Sequence, residues 1–356
     1  MLVAMRALLG IAGATLAPST MSLIRNMFHN EQERQFAIGV WIASFSLGGA
    51  IGPLVGGVLL QFFWWGSVFL VAVPVHGFAW GPAVLLLASL AVGALFVRRQ
   101  RGLAYPLLDL SLFRQPKFSA AIAAYALSCL ALFGVYIFVT QYLQLVLNLT
   151  PLQAGIATLP WALAFVVGSL LAPRLAQRWA PVPTLVWGLV AAALGFVALA
   201  FVDGSFALPL LVAGTVVMSL GMAPVFTIGN EMIITAAPPE RAGAASAISE
   251  TSSEFSGAFG IALLGSVGTM LYRYELAASL PEGVPAVAAA EAMATLGGAV
   301  AAASGLDGGA GDALLAAARA AFVDALQFTA VAGAAIVLLA SAVAARILRG
   351  ADRVRA

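Results

Sequence analysis

Gly48-Gly49-Ala50-Ile51-Gly52-Pro53-Leu54-Val55-Gly56-Gly57 lies inside an apolar stretch running from about residue 36 to residue 60, long enough to cross a bilayer as one helix. Five glycines and a proline lower helix propensity throughout this segment. In water such a helix would not persist, so packing inside a membrane has to stabilise it, and the small residues let a second helix approach backbone to backbone. The segment is therefore read as a transmembrane packing surface.

Working outward, the composition agrees: 62% of the 356 residues are hydrophobic and 9% charged, with a mean hydropathy of +1.02. These values lie outside the soluble range and define a polytopic membrane protein, an all-α transmembrane bundle surrounded by lipid. The single cysteine, Cys129, excludes a disulfide framework and a cysteine metal site. Lys117, the one lysine, stands in Arg114-Gln115-Pro116-Lys117-Phe118 and follows no glycine-rich loop, so no Walker A motif exists and an ion gradient has to power any pumping. His29 and His76 have no neighbours for a metal site, and no serine-histidine pairing suits a hydrolase. An enzyme, a cofactor, a bound metal and a nucleic-acid partner are accordingly not expected.

Apolar segments of spanning length fall at about 1–24, 35–60, 66–97, 118–147, 151–173, 182–202, 206–236, 244–271 and 320–345. Nine alternating spans place fourteen of the seventeen basic residues on one side, from Arg25 and Arg34 through Arg114, Arg174 and Arg241 to Arg355, and only Arg273 and Arg319 on the other. The first side is cytoplasmic by the positive-inside rule, and the C-terminus with it. The polar loop 272–318 then lies outside, with a helix-prone stretch from Pro285 to Ala303, a flexible Gly305 to Gly311 run and no well-specified fold. Pro74, His76, Gly77, Gly81 and Pro82 interrupt 66–97, which reads either as a partial entry plus one crossing or as a single broken helix. Trp64, Trp65 and Trp80 fit an outer interfacial belt, and Trp179 and Trp187 an inner one.

Ionisable residues inside spans are costly and tend to line cavities or proton paths. Four stand out: Arg6, Glu231, Glu250 and Glu254. Glu250 and Glu254 are one helical turn apart on a common face, and Glu254 is roughly 16 Å deep at about 1.5 Å per residue from Gly243. Desolvation and mutual repulsion disfavour ionising both, so one acid is poised to exchange a proton for a cation. A second reading makes Thr251-Ser252-Ser253-Glu254 a helix capping box with Glu250 in the loop before it. Glu231, close to the Ala236 boundary, either serves the pathway or snorkels to the cytoplasmic interface, and Asp324 is expected in the first turn of an outer helix start. Phe133, Tyr136, Phe138, Tyr142, Trp161 and Phe165 offer a cation-facing aromatic wall, with Tyr136, Tyr142 and Trp161 the chosen candidates; packing or lipid contact is the alternative.

The glycine pattern of Gly48, Gly52, Pro53, Gly56 and Gly57 resembles the antiporter motif in the fifth helix of major-facilitator drug exporters. Further blocks recur in family order: Arg6 to Gly10 with Ala17-Pro18-Ser19, Glu33-Arg34 with Ala37 to Trp41, Pro106 to Leu110, Leu152-Gln153-Ala154-Gly155, and Pro238 to Gly243. Ser249-Glu250-Thr251 through Glu254, followed by Gly260 to Ser266, is similar to the thirteenth helix of the fourteen-helix drug:proton antiporters, the EmrB/QacA group, nearest its QacA- and SmvA-type exporters of quaternary ammonium compounds. The resemblance implies a multi-pass multidrug antiporter in the bacterial cytoplasmic membrane, a monomer moving lipophilic or quaternary cations outward against protons. Residues 1–97 then correspond to an N-terminal bundle with a linker helix, 98–117 to a cytoplasmic loop and 118–356 to a C-terminal bundle. Arg6 matches a fourth-helix arginine implicated in proton movement, although Leu9 replaces the usual glutamine. Three leading helices, and roughly sixty residues between Val75 and His76, have no counterpart here, which implies a chain inactive by itself. Two alternatives stand beside this reading: a non-transporting membrane fragment, and an exporter of a neutral antibiotic or siderophore.

Overall fold

Six helices of membrane-spanning length follow one another in the computed structural model, which describes residues 30–43 and 110–353 apart from 307 and 308, together with Ile24, Met27, Phe28 and Arg98. They are α1 (Pro116–Gln141, continued by a π-helical turn Tyr142–Val146), α2 (Pro151–Trp179), α3 (Pro181–Leu199), α4 (Ala207–Ala236), α5 (Ala242–Ala278) and α8 (Gly309–Arg353). Two short helices, α6 (Ala286–Ala294) and α7 (Leu296–Ser304), separate α5 from α8. Each of the last six expected spans is met by one long helix. The first three lie outside the described residues except for a helical segment over 31–43.

Local chemistry sets the ends. Proline opens α1, α2 and α3, where its missing N–H has no intrahelical acceptor to lose. At α2 the Thr150 hydroxyl accepts from Gln153 N at 3.2 Å while Gln153 Oε1 accepts from Thr150 N at 2.9 Å, a reciprocal cap that accounts for part of the Leu152 to Gly155 block. Alternation gathers Arg114 and Lys117 before and at the start of α1, Arg174 and Arg178 late in α2, Arg241 between α4 and α5, and Arg346 late in α8 at one end of the bundle. At the other end Arg319 of α8 donates to Leu145 O at 3.0 Å and to Asn148 Oδ1 at 2.6 Å, satisfying carbonyls at the close of α1.

Packing is built on small residues. A methyl added at Gly221 of α4 would strike Ala192 N and lie 2.5 Å from Gly188 O on α3; one at Gly195 would strike Met218 N and lie 2.6 Å from Gly214 O. Backbones therefore touch where side chains would have held them apart. Pro173 in α2 removes the donor that the Ser169 carbonyl would use. Gly39 of the 31–43 segment sits against that carbonyl, and a methyl there would lie 2.8 Å from it.

One expectation is met and one corrected: the stretch read as helix-prone from Pro285 to Ala303 holds α6 and α7, whereas Asp324 is not at a helix start. The 272–318 region is largely helical: α5 runs on to Ala278, α8 begins at Gly309, and α6 docks through Tyr272 Oη donating to Ala292 O at 2.8 Å and Arg273 Nε donating to Met293 O at 3.1 Å. Asp324 is consequently exposed in the interior of α8, whose first turn holds Asp312 instead.

Candidate functional site

Because α5 starts at Ala242, Glu250 and Glu254 stand about 12 and 18 Å along it at ~1.5 Å per residue. Thr251 is interior to the helix, so the capping-box alternative does not describe this segment. Glu250 is half-buried and Glu254 exposed, and both line one cavity of about 280 Å³ formed by α1, α2, α4, α5 and the 31–43 segment.

Aromatic rings make up much of the remaining wall. Tyr125, Phe133 and Tyr136 come from α1, Trp161 and Phe165 from α2, Phe226 from α4 and Trp41 from the 31–43 segment. Tyr136 stacks on Trp161 with centroids 5.3 Å apart, and Phe226 receives Tyr125 and Phe165 edge-on at 5.0 and 5.5 Å. The Trp161 indole N–H is buried with no acceptor among the described residues. Two of the three chosen aromatics, Tyr136 and Trp161, thus face the acids. Tyr142 does not: it is 2% exposed in the hydrophobic core, where Phe138 is also buried and its ring meets Phe322 at 5.6 Å. Tyr125, Phe226 and Trp41 were not singled out by sequence; Trp41 belongs to a quoted family block, whereas helical spacing alone gave no signal for the other two.

Ring faces attract positive charge when water is excluded, and paired carboxylates supply the counter-charge that an apolar pocket lacks. Ser253, between the two acids, places its hydroxyl 3.3 Å from Cys129 Sγ.

Glu231 is not part of this wall. It is 4% exposed near the basic end of α4 and pairs with Arg34 Nη2 of the 31–43 segment at 3.3 Å. Its chain neighbour Asn230 accepts a hydrogen bond from Ser249 of α5 at 3.2 Å. Arg6 and the glycine motif of Gly48, Gly52, Pro53, Gly56 and Gly57 lie outside the described residues.

Comparison with known proteins follows the same lines. Residues 1–261 match the family model described as Major Facilitator Superfamily. The chain is 37% identical to the multidrug efflux pump LfrA of Mycolicibacterium smegmatis, across 96% of this chain and 77% of that protein. It is 30% identical to the methyl viologen resistance protein SmvA of Salmonella typhimurium, across 90% and 74%, and 27% identical to the tetracenomycin C resistance and export protein of Streptomyces glaucescens, across 96% and 74%. The LfrA alignment extends over 390 positions, more than the 356 residues of this chain, so that relative contains stretches with no counterpart here.

Proposed function

Because this chain belongs to the Major Facilitator Superfamily, we propose that it is a proton-coupled exporter of lipophilic and quaternary cations in the bacterial cytoplasmic membrane. Its relatives place it in the drug-efflux group, a membrane transporter and not an enzyme. The finer reading rests on one observation: Glu250 and Glu254 share a single aromatic-lined cavity.

Two carboxylates one turn apart line one cavity, where either a proton or a cation can neutralise their charge. A cation entering the cavity stabilises the ionised form and expels a proton; a returning proton neutralises the acid and releases the cation. Tyr136 and Trp161 hold the flat face of the substrate while the acids hold its charge. Methyl viologen, to which one relative confers resistance by name, carries two quaternary nitrogens on aromatic rings and fits this division of labour. Alternating access then follows from rocking of the 118–356 bundle against the 1–97 part around the cavity, with the basic end and the C-terminus in the cytoplasm and the protein acting as a monomer.

The test is binding of tetraphenylphosphonium to the purified chain at a series of pH values. Affinity is expected to weaken as pH falls, approaching about tenfold per pH unit where one proton competes. An affinity that stays constant from about pH 5.5 to 8 would overturn the exchange.

A further inference from the structure

The outward row of α2 changes character over its last two turns. Leu163, Val167 and Leu171 are exposed along one side of the helix, and at steps of three and four residues the same row continues into Arg174 and Arg178, both exposed. The opposite side carries Ser169, Ala172, Pro173 and Ala176, all buried. A charge that only set orientation could stand anywhere near the helix end. Two guanidiniums in line with an apolar outward row stand instead where lipid headgroups meet hydrocarbon.

The ends of α3 and α8 extend this rim. Ala180 alone separates α2 from α3, so Arg178 and Trp179 occupy the corner from which α3 departs. The exposed row of α3 begins with Trp187 and passes Leu194 two turns on; Trp187 is 61% exposed and Trp179 53%. On α8 the Ser341 hydroxyl donates to Val186 O at 3.2 Å, which fixes the register of two antiparallel helices. Five residues beyond Ser341, the exposed Arg346 is thus level with Pro181 and the corner. At ~1.5 Å per residue, Trp187 and Arg174 both lie about 9 Å deeper than the corner. Neither α2 nor α3 contains an aspartate or glutamate, and Arg174, Arg178 and Arg346 make no ion pair with a described residue.

We propose that this rim, formed by the basic ends of α2, α3 and α8, binds an anionic phospholipid of the adjacent leaflet. Arg178 and Arg346, at the level of the corner, hold the headgroup; Arg174 and Trp187 lie at the depth of the glycerol, and the acyl chains follow Leu171, Val167 and Leu194. Each arginine or lysine near a membrane surface favours anionic lipid by about fivefold, and a guanidinium contacts a phosphate through two N–H groups at once. A zwitterionic headgroup carries its own cation and gains little here. The rim stands apart from the aromatic cavity, which none of these residues lines, so the inference does not depend on what the cavity transports.

The test reconstitutes the purified 356-residue chain in phosphatidylcholine bilayers and compares tryptophan quenching by brominated phosphatidylglycerol with quenching by equally brominated phosphatidylcholine. The rim predicts excess quenching by the anionic lipid at low fractions, an apparent preference of about fivefold or more that is lost when Trp179 and Trp187 are both replaced by phenylalanine. The preference should also vanish in the double variant Arg178→Gln and Arg346→Gln, and persist in Arg241→Gln, which alters the basic end between α4 and α5, off the rim. Raising salt from about 0.1 to 1 M should weaken it in the unsubstituted chain, a measurement that stands if the double variant folds poorly. Equal quenching by the two lipids, or a preference unchanged in the double variant or by salt, would overturn the site. Equal loss in Arg241→Gln would overturn it in favour of a general attraction to the basic end. Relief of the excess quenching by inorganic phosphate at matched ionic strength would assign the arginines to a free anion and overturn it as well.

Discussion

Arg34 and Glu231, 197 positions apart in the chain, meet with Nη2 3.3 Å from Oε1. Their side chains are 16% and 5% exposed, so solvent screens the pair little, and it ties the 31–43 segment to the basic end of α4. Neither residue lines the cavity, so the pair acts by joining two elements beside it.

Removing one charge from a buried pair leaves the other uncompensated, which costs more than removing both. Arg34→Leu and Glu231→Gln are each expected to lower thermal stability, and the double variant to lose less than the sum, with a coupling on the order of 1 kcal/mol. Thermal unfolding of the four proteins in detergent checks this. Additive losses would show that the pair carries no interaction of its own.

The α3 and α4 contact has no room for a side chain at Gly195 or Gly221. Gly195→Val or Gly221→Val should cost on the order of 1–3 kcal/mol or more, since backbone atoms are what the new carbons would meet. Gly243→Ala is the control: a methyl there meets nothing within 4 Å. Melting temperatures of the three variants would show the contrast, and an equal effect at all three positions would contradict the packing.

The glycine motif leads to a parallel expectation. If the motif makes the close helix contact that its sequence implies, leucine at Gly52 or Gly56 crowds it, and cation binding or folding is expected to fail in both variants. Normal tetraphenylphosphonium affinity and unchanged detergent stability in both would mean that this face meets lipid.

Hydrophobic length made the last six spans readable, because a bilayer imposes it on any helix that crosses. The Glu250 and Glu254 face was legible for a similar reason: carboxylates are scarce at that depth. Spacing could not say which aromatic stripe turns inward, so Tyr142 was chosen and Tyr125 and Phe226 passed over. Asp324 was misplaced because bilayer thickness sets the apolar part of a helix, whereas α8 continues well beyond it. Within 272–318 the alanine-rich composition showed where helices would form but not how they dock, because α6 is held by Tyr272 and Arg273 on a different element. No local signal announces an ion pair like Arg34 with Glu231 across such a separation.

Proton displacement by a cation at Glu250 and Glu254 is tested most directly by counting protons released per tetraphenylphosphonium bound, in the unsubstituted chain, Glu250→Gln and Glu254→Gln. Glutamine keeps the shape and removes the titration. The deeper acid, Glu254, is expected to matter most: Glu254→Gln should bind the cation more weakly and release fewer protons while still folding, with a milder change in Glu250→Gln. The same proton count in Glu254→Gln as in the unsubstituted chain, at equal affinity, would contradict the exchange.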